Sequence, residues 1–269
     1  MPIPLLIKKP ILAAFGKAVE INLALQGRHY QYIFLLAHMR SGSTLLSHIL
    51  GGNPEFDGSG ESHLTYRTAA DLPKLAVAIC QRERKLSPKA GAKYLVDQIN
   101  YNELLTDEVL ASPLIPRFVF LIRPPGPSLE SMMSRFKWPE NIAYDYYRER
   151  LKMLIRYSQL VHERSILIEY DNLVDRSEET LAALTNFIGV REPFRPSFEA
   201  TKATARSADP SDNMWSGKII RTKSHRIDIS KGLLDEATGA FWQCRDQILR
   251  AGVKPAKETA PATAARFVS

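Results

Sequence analysis

The chain has 269 residues, of which 45% are hydrophobic, and a formal net charge of +7. That length allows one well-packed core and is short for two full domains. The net positive charge favours binding of an anionic ligand, a nucleic acid or a membrane surface, and it does not distinguish among these partners. No apolar run approaches the roughly 18 residues of a membrane-spanning helix. The two cysteines, Cys80 and Cys244, lack metal-ligand spacing and give no case for zinc or a disulfide framework.

The N-terminal segment, residues 1–28, mixes leucine and isoleucine with lysine and is predicted to be helical. Pro10 and Glu20 interrupt its apolar pattern, and no small-residue cleavage site follows. The pattern favours a helix that packs on the rest of the protein, with weak contact with a membrane surface as the alternative. We expect a cytoplasmic protein.

Short apolar runs that alternate with helical patterns predict an α/β fold. Strands are predicted at residues 32–37, 118–122 and 165–169, with a shorter fourth at 94–96. Helices are predicted at residues 44–50, 72–85, 128–136, 142–162, 178–188 and 232–251, with Asp175 or Ser177 capping the helix at 178–188. Near-continuous hydrophobicity is typical of strands covered on both faces, so we expect a three-layer domain with a central parallel sheet.

A single domain is predicted over residues 1–253. Within it, residues 193–231 are polar and without periodicity, which suits a loop that covers a ligand. Residues 254–269 are rich in alanine, threonine, proline and lysine and are predicted to form a disordered tail.

The clearest functional signal is the loop after the first predicted strand. Residues 40–46 read Arg-Ser-Gly-Ser-Thr-Leu-Leu. Small residues let several backbone N–H groups face one point, the following helix adds the positive end of its dipole, and Arg40 adds a full charge. The lysine of the G-x-x-x-x-G-K-[ST] loop is absent. The loop therefore predicts a phosphorylated nucleotide other than ATP with Mg²⁺.

A second arginine, Arg123, follows another predicted strand. Ser131 lies eight residues later and Arg135 four residues beyond it, so these two share one helical face. In open α/β sheets the ligand binds at the carboxyl ends of the strands, where Arg40, Arg123 and Tyr170 fall. One crevice is expected to hold all three side chains, with a second anion beside Arg123.

Together these motifs resemble the sulfotransferases that use 3′-phosphoadenosine-5′-phosphosulfate (PAPS), in the branch with the protein-tyrosine sulfotransferases and many bacterial members. The resemblance runs from about residue 32 to residue 190. It implies a P-loop NTPase-like fold, PAPS as donor with PAP as product, and no required metal. It also implies a hydroxyl acceptor, which is a small molecule, a glycan, a lipid or a peptide, and no nucleic acid partner.

The resemblance also assigns the donor-binding residues. The 5′-phosphosulfate is expected at Arg40, Ser41, Gly42, Ser43, Thr44 and Leu45, and the 3′-phosphate at Arg123 and Ser131. Arg135 matches a further family arginine. Tyr170 opens Tyr-Asp-Asn-Leu-Val, which matches the family's Y-E-x-L-V. Arg221 is expected to fold over the 3′-phosphate from a basic segment that also contains Lys218, Lys223 and Arg226.

For catalysis, the family places a glutamate in a Gly-Glu pair after an Asn-Pro spacer, and Glu61 is the first choice for the base. The tyrosylprotein enzymes have two adjacent glutamates, whereas this chain has Glu61-Ser62, so His63 is the substitute. Arg40 is expected to stabilise the leaving phosphate as a fixed charge. Gln98 departs from the family, which usually has a lysine there near the transferring group.

Two other functions stay open on the sequence. A nucleotide or small-molecule kinase would share the fold but predicts binding of ATP with Mg²⁺. A module that binds PAP without turnover would explain why Gln98 stands in place of the family lysine. It would also explain why Glu61-Ser62 stands where the tyrosylprotein enzymes have two glutamates.

Overall fold

The computed structural model describes residues 5–115, 117–199, 216–221 and 227–256. In these ranges, one parallel sheet has six strands in the order β2-β3-β1-β4-β5-β6. The strands are β1 (Gln31–Ala37), β2 (Phe56–Asp57), β3 (Tyr94–Ile99), β4 (Arg117–Ile122), β5 (Ser165–Glu169) and β6 (Lys254–Pro255). The predicted α/β class is confirmed, and the four predicted strands are β1, β3, β4 and β5.

Two strands were not predicted, because two residues are too few to show a period. β6 changes the predicted boundary at residue 253, since it pairs with β5. The backbone N–H of Ala256 donates to the Leu167 carbonyl at 2.9 Å, and Val253 and Ala256 are buried. The folded domain therefore includes residues 254–256, which the sequence analysis placed in a disordered tail. The remainder of that tail, 257–269, lies outside the described residues.

The helices between the strands explain the alternating pattern. They are α1 (Leu5–Gln26), α2 (Ser43–Gly52), α3 (Lys74–Glu83), α4 (Asp107–Ala111), α5 (Pro125–Phe136), α6 (Glu140–Val161), α7 (Tyr170–Asp175), α8 (Ser177–Ile188) and α9 (Lys231–Arg250). The six predicted helices are α2, α3, α5, α6, α8 and α9. Helix α5 begins three residues before its predicted start because proline fits the first helical turn. Neither Asp175 nor Ser177 caps α8, whose N-cap position is Arg176.

Successive residues of the central strands lie on opposite faces of the sheet and belong to two separate hydrophobic cores. On one face, Phe34 and Phe118 pack with residues of α3, α5, α6 and α9. On the other face, Ile33 and Val119 pack with residues of α2 and α8. Burial on both faces explains why the strands are apolar throughout, and it establishes the predicted three layers.

Helix α1 packs against α3 at the outside of the sheet. Val19 is buried, and the Gln81 side-chain amide donates to the Leu12 carbonyl at 2.9 Å. This contact agrees with the packing helix favoured for the N-terminal segment. None of the helices in the described part of the chain is both long enough and apolar enough to cross a membrane.

Candidate functional site

The two predicted anion sites lie in one cluster at the carboxyl ends of β1 and β4. Arg40 Nε donates to Ser131 Oγ at 2.7 Å, and Arg123 Nη1 donates to the Arg40 carbonyl at 3.0 Å. Arg40 has a positive φ of 62°, the left-handed conformation, so the chain turns sharply between β1 and α2. The structure thus brings together three residues that lie 91 positions apart at most.

Arg123 is the buried cation of this cluster. Only 7% of the residue is exposed, and its guanidinium lies 4.0 Å from the centre of the Tyr170 ring. The Tyr147 hydroxyl donates to the Arg123 carbonyl at 2.8 Å and fixes the backbone. Burial lowers the pKa of Arg123, yet a guanidinium stays charged in proteins. Its Nε is buried and has no hydrogen-bond partner among the described residues, which favours an anionic ligand.

His38, which the sequence analysis did not select, links the two strand ends. Its Nε2 accepts from the Arg123 backbone N–H at 3.0 Å, and its Nδ1 donates to the Met39 carbonyl at 2.8 Å. Burial lowers the pKa of His38 to about 4, so the ring is neutral and can accept at Nε2. The signal in the sequence is a polar residue that directly follows an apolar strand and precedes Arg40.

Gly42 lets the loop approach Tyr170. It has a φ of 92°, and a Cβ built there would lie 2.5 Å from Cδ2 of the Tyr170 ring. Because the same ring contacts the Arg123 guanidinium, the glycine allows loop, ring and arginine to pack as one unit.

We expect Gly42→Ala to destabilise the fold by about 1–3 kcal/mol, since it adds backbone strain and a clash with the Tyr170 ring. Urea unfolding measures this loss. Gly52→Ala is the matched control, because a Cβ at Gly52 meets nothing within 4 Å. Equal stability of the two variants would show that the close approach is not needed.

The other loop residues occupy the first turn of α2 and the turn before it. Ser41, Ser43 and Leu45 are buried, and Thr44 is half-buried. Ser41 Oγ has no hydrogen-bond partner within the described ranges. The Thr44 carbonyl accepts from Ser47 Oγ at 2.9 Å, and the same oxygen of Ser47 accepts from the Gly60 N–H at 3.0 Å. This contact ties the anion loop to the segment that contains Glu61.

Glu61 lies beside the end of β3. Its Oε1 accepts from Gln98 Nε2 at 3.0 Å and from Asn100 Nδ2 at 2.7 Å. Its Oε2 lies 3.6 Å from His63 Nδ1, and 23% of the Glu61 side chain is exposed. Burial raises the pKa of Glu61 above the ordinary value. A carboxylate that is partly buried, basic and still open on one side has the properties of a general base.

The other candidate base, His63, lies on the surface. Its side chain is 66% exposed, and its φ is 57°. Its ring centroid is 6.1 Å from that of Tyr101. His63 is thus an exposed neighbour of Glu61 Oε2.

Asp97 holds the segment around Glu61 in place. Its Oδ1 accepts from the Ser62 backbone N–H at 2.9 Å, and its Oδ2 accepts from the Tyr66 hydroxyl at 2.7 Å. Asp97 is buried, and burial raises its pKa. The sequence analysis did not select Asp97, whereas the structure gives it a role in positioning Ser62.

Two side chains of α6 join the ends of β1 and β3. The fully buried Arg150 donates from Nε to the Ala37 carbonyl at 2.8 Å and from Nη2 to the Ile99 carbonyl at 2.6 Å. The Tyr146 hydroxyl accepts from the Met39 N–H and donates to the Asn100 carbonyl, both at 2.8 Å. Neither residue was predicted as part of the site, because nothing local in the sequence of α6 indicates what it contacts.

Two predicted donor-binding residues lie at the edge of this arrangement. Arg135 is exposed in the last turn of α5. Arg221 is half-exposed and forms ion pairs with Asp171 and Asp175 of α7. The structure therefore gives Arg221 two carboxylate partners that the sequence analysis did not foresee.

Within the predicted ligand-covering loop at 193–231, residues 200–215 and 222–226, which include Lys223 and Arg226, lie outside the described residues. In the parts that are described, Ser197 and Lys218 form an antiparallel bridge. The described residues contain no group of three or more histidine, cysteine, aspartate or glutamate side chains arranged to hold a metal ion.

Neither a protein-family model nor a curated protein matches the chain. Among solved structures, the fold is similar to the crystal structure of a sulfotransferase from Alicyclobacillus acidocaldarius. The two share 12% sequence identity, with a TM-score of 0.49, over 83% of this chain and 96% of that chain. This similarity concerns the backbone architecture, and the function is argued from the site itself.

Proposed function

We propose that the protein is a sulfotransferase that moves a sulfuryl group from PAPS to a hydroxyl acceptor. The observation that carries the proposal is that two arginines and a basic carboxylate lie at the same edge of the sheet. Arg40 follows β1 and Arg123 follows β4. Glu61 accepts hydrogen bonds from residues at the end of β3. Because β1 lies between β3 and β4, one edge of the sheet offers both a polyanion site and a base.

The residues present fit the donor. Arg123 and Ser131 are assigned to the 3′-phosphate, and the loop from Arg40 to Leu45 to the 5′-phosphosulfate, with Arg135 and Arg221 as outer cations. Arg123 Nε and Ser41 Oγ, which have no hydrogen-bond partner in the described part of the chain, are buried polar groups of the kind that an anionic ligand satisfies. Tyr170 keeps the guanidinium in position by stacking.

The reaction needs a charge to be stabilised and a proton to be removed. The acceptor oxygen forms a bond to sulfur, and the bond between sulfur and the bridging phosphate oxygen breaks with its electron pair on the phosphate. The acceptor proton goes to Glu61 Oε2. Arg40 and the loop N–H groups stabilise the negative charge on the leaving phosphate. They act through their position and electrostatic attraction, so the phosphate needs no proton donor.

Purified protein should melt at a higher temperature with PAP than with AMP or ATP·Mg²⁺. A ligand at 100 times its Kd stabilises the folded state by about 2.7 kcal/mol, which raises Tm by several degrees in a chain of this size. We expect Arg123→Ala to lose this stabilisation. The matched control is Arg148→Ala, which removes a half-exposed arginine of α6 and should keep the stabilisation.

Other outcomes are distinct. Preference for ATP·Mg²⁺ would contradict the proposal and support the kinase. Binding of PAP with no sulfuryl transfer to phenolic, sugar, lipid or peptide hydroxyls would support a module without turnover. If Arg123→Ala does not fold, Ser131→Ala tests the same site, because it removes the hydroxyl that Arg40 contacts.

A further inference from the structure

Gln98 and Asn100 both donate to one oxygen of Glu61. The distances to Oε1 are 3.0 Å from Gln98 Nε2 and 2.7 Å from Asn100 Nδ2. We propose that these two amides are positioning residues that occupy Oε1 and leave Oε2 as the single oxygen of Glu61 that takes the acceptor proton. The inference rests on the proposed function, although part of its test does not need turnover.

The number of lone pairs supports this assignment. A carboxylate has about four acceptor positions, two on each oxygen. Two N–H donors fill both positions of Oε1, so an approaching hydroxyl finds its acceptor at Oε2. Once Oε2 holds the proton, Oε1 becomes the carbonyl oxygen of the acid and still accepts from both amides. The same contacts therefore suit Glu61 before and after proton transfer.

The orientation of the amides follows from the charge of their partner. An ionised carboxylate only accepts hydrogen bonds, so each amide must turn its NH₂ group toward Glu61. Gln98 Oε1 and Asn100 Oδ1 are then buried without hydrogen-bond partners among the described residues. Unsatisfied buried oxygens are costly, and this cost is understandable where both donors are needed on one carboxylate.

Gln98 also gives the departure from the family a physical meaning. The resemblance placed a lysine here, close to the transferring group. In this chain the side chain is 2% exposed and contacts the base. An amide supplies a hydrogen bond without a full positive charge, so it orients Glu61 and lowers its basicity less than a buried ammonium would.

Several groups affect the proton affinity of Glu61. Burial raises its pKa, and the two amide donors lower it. Other charged or titratable groups near the segment include His63, Asp97, Arg82, Tyr66, Tyr101 and Tyr146. Of these, His63 lowers the pKa of Glu61 and Asp97 raises it. The amides therefore act on Glu61 together with neighbours that have opposite effects on its pKa.

The test is a titration of Glu61 in protein labelled with ¹³C at the glutamate carboxyl carbon, with the signal assigned by its loss in Glu61→Gln. We expect Asn100→Leu and Gln98→Leu each to raise the pKa of Glu61 by about one unit, since each removes a donor to the charged form. The acidic limb of the pH profile of kcat should move upward by the same amount. Ser62→Ala removes the hydrogen bond from Ser62 Oγ to Asp97 Oδ2, keeps both amide donors to Glu61, and should leave the pKa of Glu61 unchanged.

A pKa unchanged in both leucine variants would overturn the proposal. An equal shift in Ser62→Ala would also overturn it, because the effect would then come from a loosened segment. If either leucine variant does not fold, Asn100→Ser and Gln98→Ser replace them. Shifts of the expected size in a protein that transfers no sulfuryl group would support the positioning and reject the proposed function alone.

Discussion

Replacing Glu61 with glutamine should lower kcat for sulfuryl transfer by about 10²–10⁴-fold, the usual contribution of a general base. Glutamine has nearly the same shape but cannot take the acceptor proton. Glu61 contacts Gln98 and Asn100 rather than the arginine cluster. We therefore expect the Kd for PAP in Glu61→Gln to stay within a factor of about two of the wild-type value. Single-turnover kinetics together with PAP titration separates these two effects.

His63→Ala is the matched comparison. Since His63 is mostly exposed and lies beside Glu61 Oε2, we expect a smaller loss than in Glu61→Gln. A larger loss in His63→Ala, with Glu61→Gln nearly active, would make His63 the base. In the wild-type protein, kcat should fall as the pH drops through the raised pKa of Glu61, because protonation removes the base. Glu61→Gln should abolish that limb of the profile.

The sequence was informative where a signal is local. The apolar runs predicted β1, β3, β4 and β5, because a strand buried on both faces needs apolar residues throughout. The loop from Arg40 to Leu45 was recognisable because its small residues and arginine are adjacent. Arg123 was selected because it directly follows a strand, and Ser131 was paired with it through the family resemblance.

The sequence was uninformative where the partner is distant in the chain. His38 contacts a residue 85 positions later, and Asn100 contacts Glu61 across 39 positions. Local periodicity does not encode such pairs. The sequence analysis expected Arg40 and Arg123 in one crevice, but it could not predict the direct hydrogen bond between Arg40 and Ser131. Arg221 was selected for its charge, and that reasoning could not include its two carboxylate partners in α7.

Arg150 is expected to have the largest effect on stability. It is fully buried and donates to the carbonyls of Ala37, Ile99 and Tyr101 and to Asn102 Oδ1, at distances from 2.6 to 3.1 Å. Methionine can fill part of the same volume but leaves four acceptors without donors. Each unsatisfied buried acceptor costs about 1–3 kcal/mol, and partial access of water reduces the sum, so we expect Arg150→Met to lose about 3–5 kcal/mol.

Urea unfolding followed by circular dichroism measures the loss. The control is Arg148→Met, at a half-exposed arginine two residues earlier in α6, which should change the free energy of unfolding by much less, about 0.5 kcal/mol. If Arg150→Met does not fold, Arg150→Lys serves instead, because an ammonium keeps the charge but has only three donors for four acceptors. Equal stabilities of the Arg150 and Arg148 variants would contradict the role assigned to Arg150.

The same substitution links stability to the site. Ala37 ends β1 just before the anion loop, and Ile99 ends β3 just before Asn100, so Arg150 fixes the distance between the donor site and Glu61. Transfer depends steeply on that distance, because a misplacement of about 1 Å can cost 10²-fold in rate. In any Arg150 variant that folds at low temperature, kcat should therefore fall more than PAP affinity. In the proposed function, PAP is bound by residues that follow β1, β4 and β5, whereas transfer also requires Glu61 beside the end of β3.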